Sequence, residues 1–346
     1  RLSSRHTRCV ANDNVADPDI RQFGQGNGAC QHAVRDFRGS NGGDASPVNG
    51  DIASDDSLFF LNGQDVFCKR ILNDGWGSAL SSMEIADING DGKPDLIVGG
   101  ATLVWYRNPD WQKFTIATAG NEFTTDCQVR DLNNDGRVDI VTGDGNGVNN
   151  VVWFENLGGA TSWSRHTIGT HGNWMHDVEV ADFDGDGRAD VLTHGNGTHL
   201  WYQNGPDSWV DRNLGSGDKT KEGVGIGDVD GDGRIDFVQG GWWFKNLGGR
   251  TSAWTSYKFA SGYDGGSYTA GVGDLNNDGR PDLVVAEQHA RHELAWYTAP
   301  VDPRQGGWTK NVLASDMGAH KLNIADLNSD GRPDLVVGLE LAELRI

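Results

Sequence analysis

One nine-residue pattern, Asp-x-Asx-x-Asp-Gly-x-x-Asp, occurs six times in this chain at intervals of 44 to 52 residues. No other feature restricts the fold as much. The copies begin at Asp87, Asp131, Asp182, Asp228, Asp274 and Asp326. Self-similarity at this period means one small unit stacked against its own copies, because a single unit cannot bury its apolar face alone. A degenerate seventh copy runs from Asp36 to Asp44, with Arg38 and Ser40 at its third and fifth positions.

The surroundings repeat as well. An alternating apolar run precedes each loop (Val178-Glu-Val180), an apolar run follows it (Asp190-Val-Leu-Thr), and an aromatic run comes next: Val104-Trp-Tyr, Val152-Trp-Phe, Leu200-Trp-Tyr, Trp242-Trp-Phe, Ala295-Trp-Tyr. A fourth run opens at Trp111, Trp163, Trp209, Trp254 or Trp308. Short β-rich runs between Gly, Asn and Asp turns are strands, and four strands in a unit of this length make a propeller blade. The expected fold is all-β, a seven-bladed β-propeller of four-stranded antiparallel blades, with repeat loops at 36–44, 87–95, 131–139, 182–190, 228–236, 274–282 and 326–334. The last unit reaches only its third strand. Ser4-Arg-His-Thr7 copies Ser164-Arg-His-Thr167, so residues 1–10 are expected to supply the missing strand of blade seven and close the ring. Residues 11–29 form an insertion ahead of blade one.

Oxygen-bearing side chains at alternate positions of a Gly-containing loop suit a hard cation, and Ca²⁺ takes six to eight such donors. The candidate ligands are Asp87, Asn89, Asp91 and Asp95; Asp131, Asn133, Asp135 and Asp139; Asp182, Asp184, Asp186 and Asp190; Asp228, Asp230, Asp232 and Asp236; Asp274, Asn276, Asp278 and Asp282; and Asp326, Asn328, Asp330 and Asp334. Each set can hold one structural ion, up to six in all, and Arg38 and Ser40 predict none in blade one. Six dications would take the net charge of −20 to −8. A strongly acidic chain repels nucleic acid and anionic bilayers, and no run of 18 apolar residues exists to span a membrane.

These loops resemble FG-GAP/VCBS repeats of the integrin-α type. The resemblance implies calcium at the hairpin between the first two strands of each blade and ligand binding on the opposite face.

On that opposite face the repeats diverge. Six residues before each first Asp stand Cys30, Ser81, Thr125, His176, Glu222, Tyr268 and His320. Loops between second and third strands carry Asp144, His194, His199, Glu287, His289, Arg291 and His292, and a loop entering a first strand carries Trp174. By this register seven of the ten His share one face with a phenol and a guanidinium. A lectin would repeat its site in most blades; this asymmetry favours a single site and an enzyme. The blade texture is similar to secreted propeller polysaccharide lyases of the ulvan lyase and rhamnose-glucuronate lyase type. That resemblance implies β-elimination beside a uronic acid, with an acidic polysaccharide as partner and a monomer as the working unit. The catalytic candidates are His176 or His320 as base, Tyr268 as acid and Arg291 against the carboxylate. Glu222, His194, His199, His289, His292, Asp144, Trp174 and Glu287 would bind sugar. A glycoside hydrolase and a non-catalytic lectin are the alternatives. Cys9 and Cys30 flank the insertion and are expected to form a disulfide, with Cys68 and Cys127 left unpaired; a disulfide and calcium together point outside the cell.

Overall fold

The computed structural model describes residues 8–9, 34–35, 57–62, 66–71 and 82–345, without 119–122, 124–125, 145–148, 173, 215–221, 288–292, 316–318, 320, 327–329 and 339–343. The chain divides into two units, Arg1–Ala79 and Leu80–Ile346. In the first, four strands pair in the order Val34–Arg35, Arg8–Cys9, Val66–Ile71, Ser57–Asn62. Arg8–Cys9, the end of the expected closing strand, is antiparallel to Val34–Arg35 and parallel to Val66–Ile71. Ser4–Thr7, the insertion at 11–29, Cys30 and the degenerate loop at 36–44 lie outside the described residues.

The second unit carries repeats two to seven as separate antiparallel sheets, each in chain order. Five have four strands; repeat seven has three, Lys321–Ala325, Asp334–Gly338 and Leu344–Arg345. The first strands, Ser82–Ala86, Cys127–Arg130, Met175–Ala181, Val224–Gly227, Tyr268–Gly273 and Lys321–Ala325, neighbour one another in succession. Among the described residues no helix is long and apolar enough to cross a membrane.

The first strands bury part of their length against the neighbouring sheets. Val178 and Val224 are buried between sheets, and Cys127 is buried there as a free thiol. The repeated aromatic of the third strand fills the core: Trp105, Trp153, Trp201 and Trp243 are all buried. Trp105 also donates its indole N–H to the Ala160 carbonyl in the next sheet, 2.9 Å.

Two polar devices tie the repeats together. In repeats two to six the ninth residue of the loop is a buried Asp that clasps the hairpin to the third strand. Asp139 accepts from Leu132 N at 3.0 Å and Asn156 N at 2.8 Å; Asp190 accepts from Phe183 N and Gln203 N; Asp95 and Asp236 do the same. Burial raises Asp139 to about 6 and Asp190 and Asp236 to about 7, against the lowering by these N–H bonds. The residue gripped by the clasp then reaches back one sheet: Asn156 Nδ2 donates to Ile88 O, Gln203 Nε2 to Leu132 O, and Asn246 Nδ2 to Phe183 O. In repeat four that residue is Gln203 rather than Asn204, which the sequence pattern aligns there; the second and third strands pair one residue out of step, Trp201 facing Val191, the first residue after its Asp, where Trp153 faces Val141, the second.

Candidate functional site

His176 lies at the start of the first strand of repeat four. Its Nδ1 is 3.1 Å from Asp177 Oδ1 and its Nε2 is 3.7 Å from Glu222 Oε2. Consecutive strand residues normally point to opposite faces. Here the pairing skips a residue between Met175 and Asp177, and such a bulge re-aims side chains. That is how His176 and Asp177 come to bond each other.

Asp177 is buried, and its second oxygen accepts the Gly223 N–H at 2.8 Å. Gly223 has φ +87°, and a Cβ there would stand 1.4 Å from the Tyr268 carbonyl oxygen. No other residue passes this point, so the backbone beside Glu222 is held between repeats four and six. Tyr268 N also donates to Glu222 O at 3.3 Å. Trp174, 39% exposed and at φ 60°, sets its ring 5.8 Å from His176. Burial disfavours a charged His176, but the Asp177 bond and the charges of Asp177 and Glu222 outweigh it and hold the imidazole above its usual range. Burial works against the Asp177 carboxylate too, and the His176 bond pulls it below the usual range nonetheless.

A second cluster lies between the first strands. Lys321 pairs with Asp126, joining repeat seven to repeat three. Burial and the Asp126 charge push Glu84 up to about 7, and burial pushes Glu179 well above the carboxylate range. Lys321, its side chain half exposed, is held above its usual value: desolvation works against its ammonium, and the charges of Asp126 and Asp177 outweigh it. None of Asp177, Asp126, Lys321, Glu84 or Glu179 stands at the register position the sequence singled out. They fall one and three residues further along each first strand, where the pattern reads as a mixture of charge and small residues.

The other expected site residues disperse. His194 and His199 are buried inside repeat four. His194 Nδ1 meets Thr198 Oγ1 at 3.1 Å and Gln239 Nε2 at 3.1 Å. His199 Nδ1 meets Asp211 at 2.8 Å and its ring stacks on Trp201. His171 bonds Thr193, and burial and the neighbouring histidines lower it to about 4. His171 thus ties repeat three to repeat four and His194 ties repeat four to repeat five, while His199 bonds within repeat four; all three are buried rather than gathered on an open face. Asp144 is buried against Arg165 and Asn150. Tyr268, 3% exposed, packs edge-on to Tyr263, and Glu287 is buried as its strand partner. Arg291, His289, His292 and His320 lie outside the described residues.

The repeat loops share one hydrogen-bonding pattern among the described residues. The first Asp accepts from backbone N–H groups of positions five and six: Asp87 from Asp91 and Gly92, Asp182 from Asp186 and Gly187, Asp274 from Asp278 and Gly279. The sixth residue is always Gly at φ between +82° and +86°, a region costly for other residues. Carboxylate oxygens of Asp182, Asp184 and Asp190 lie within 4.8 Å of one another, as do those of Asp228, Asp230 and Asp236. Donors that are all oxygen and this close fit a hard dication. Asn328 of repeat seven lies outside the described residues.

Comparison with known proteins follows the same loops. A model described as FG-GAP-like repeat matches residues 87–142, 131–193 and 274–337. No curated protein sequence matches the chain. Among solved structures, BBS1N in complex with ARL6DN, soaked with mercury, is similar at 14% identity with TM-score 0.51, covering 83% of each chain. The lead-soaked form of the same complex gives 15% and 0.50 over the same shares. The rhamnogalacturonan lyase YesW is similar at 14% identity and TM-score 0.45, over 75% of this chain; this chain spans 55% of that lyase. At such identities the likeness is one of fold. The acidic loops, the sheet order and the family match agree: residues 87–193 and 274–337 carry FG-GAP-like repeats, and the succession of antiparallel sheets is consistent with a β-propeller.

Proposed function

We propose that this propeller is a secreted polysaccharide lyase acting on a uronic-acid-containing polymer, with His176 as its base. The observation that carries the reading is the His176 setting: an imidazole oriented through Nδ1 by a buried carboxylate, its Nε2 turned toward Glu222, beside an exposed Trp174. Nδ1 bonded to a carboxylate carries the proton, which leaves Nε2 as the free base. In β-elimination Nε2 takes the C5 proton of the uronate, the C4–O bond breaks, and a C4=C5 double bond forms. The imidazolium then returns that proton to the leaving oxygen, so one residue serves both halves of the reaction. The burial of Tyr268 speaks against it as the acid. Trp174 offers a sugar-stacking platform. Among the described residues Lys321 is a cation that would meet the substrate carboxylate, whose neutralisation lowers the barrier to C5 deprotonation; Arg291 remains the candidate from the sequence for the same role.

Calcium belongs to the frame. Asp87, Asn89 and Asp91, and their counterparts in later loops that hold no competing cation, would bind it, and it would neutralise loops of three or four acidic groups without entering the reaction.

One observation favours a second reading, a lectin. The carboxylates Asp126, Asp177 and Glu222 outnumber the cations Lys321 and His176 in the described part of the site. A neutral sugar stacked on Trp174 and left intact would meet less repulsion there. Incubation with a panel of uronate polymers separates the two: an unsaturated uronate product, seen by its ultraviolet absorbance, supports the lyase, whereas retention on immobilised sugar without product supports the lectin.

A further inference from the structure

In repeats three and five the residue just before the clasped position of the third strand brings a charge to the acidic loop, beside the seventh-position arginine that pairs with the fifth-position Asp in repeats three to six. In repeats two to six the residues just before the clasp are Arg107, Glu155, Tyr202, Lys245 and Thr298, each preceding the backbone N–H held by the ninth-position Asp. Arg107 turns away to Asp110, 2.6 Å, and Gln112. Glu155 turns in: its Oε1 accepts from Asn133 Nδ2 at 3.0 Å, adding a carboxylate at the third position of the repeat-three loop. Lys245 turns in with the opposite sign. Its ammonium donates to Asp230 and to Asp232, the third and fifth residues of the repeat-five loop.

The Lys245 and Asp230 side chains are only 9% and 5% exposed. A desolvated ion pair of this kind is costly to break, because each charge would be left without its partner. A dication bound by Asp230 and Asp232 would also stand within a few ångströms of the ammonium, where like charges in a poorly hydrated pocket repel strongly. Arg250 approaches Asp184 and Asp186 of repeat four, but from a more open position and with its remaining donors spread over Asn204 and the Gln203 carbonyl. Lys245 instead directs both of its bonds into one loop.

We infer that Lys245 is the resident cation of the repeat-five loop, and that this loop takes no calcium although it carries the complete ligand pattern. The inference rests on the calcium reading of the other loops, and Glu155 and Lys245 then act as opposite settings of one position. The test counts calcium retained per chain after gel filtration in calcium-containing buffer, by atomic emission. Asp228→Asn should cost the wild-type protein no ion, whereas Lys245→Met should gain one ion per chain and lose it again on adding Asp228→Asn. Loss of an ion from the single Asp228→Asn variant, or no gain in Lys245→Met, overturns the inference. Lys245→Gln, which keeps a donor for Asp230, serves the same comparison if the Met variant misfolds. Asp87→Asn in repeat two addresses the calcium reading separately: it should cost one ion, and if it costs none the loops are not calcium sites.

Discussion

Asp177 bonds the His176 imidazole with one carboxylate oxygen and the Gly223 backbone with the other, at 3.1 and 2.8 Å. One buried side chain thereby fixes both the tautomer of the imidazole and the position of the segment that carries Glu222. A base that must be neutral to work loses activity as pH falls through its own pKa, and Asp177 raises that pKa. Asp177→Asn removes the charge, so the acidic limb of the pH–rate profile should move to lower pH while turnover at the optimum falls about 10–100-fold. An acidic limb left in place would show that Asp177 does not act through His176.

The same pair makes a linkage prediction. A histidine whose folded pKa is raised contributes stability that is fully present below its unfolded pKa, and that is lost as pH rises through the folded value. The stability difference between wild type and His176→Ala should therefore be largest in mildly acidic buffer and shrink above neutrality, as read by urea unfolding at several pH values.

Gly223 allows the contact with Asp177 only because it lacks a side chain. Gly223→Ala combines a disfavoured φ with a clash against the Tyr268 carbonyl. It should destabilise the protein by about 2–4 kcal/mol and lower turnover in whatever fraction remains folded. A near-neutral effect on the urea midpoint would contradict the local geometry.

Between the first strands the sign reverses. Glu84 is pushed up to about 7 mainly by burial and by Asp126. A carboxyl with a raised folded pKa costs nothing below its unfolded value near 4.5 and penalises the fold increasingly as pH rises toward 7. Glu84→Gln should thus stabilise the protein at pH 8 by about 1–3 kcal/mol and leave it unchanged at pH 4. Equal effects at both pH values would mean that Glu84 titrates normally.

Chelation probes the frame. If each occupied loop contributes about 2.7 kcal/mol at a hundredfold excess of calcium over Kd, EDTA should lower Tm by many degrees and calcium should restore it. An unchanged Tm would remove the metal from the account.

Much of the architecture is legible in the chain because it is written six times over. Strand order, the tryptophan core and the acidic loops all follow from periodicity, and chance cannot imitate six copies. The site is written once. His176 and Glu222 are visible as divergent residues at a shared register, but Asp177 is not, since only the bulge after Met175 turns it to the same side as His176. The burial of His194 and His199 is hidden for a related reason: a hydrogen-bonded histidine packed among sheets and one at an open surface look alike in a string of letters. The ninth-position Asp is read as a ligand alone, whereas its backbone bonds to Leu132 and Asn156, and their counterparts, make it a clasp as well.

The central claim is that His176 removes a proton from a uronate. Its most direct test is the rate of unsaturated product formation by wild type and His176→Ala on the same uronate polymer, with the two proteins matched in thermal stability. The account predicts product from wild type and a loss of about 10²–10⁴-fold in the variant. Comparable rates from both proteins would contradict it.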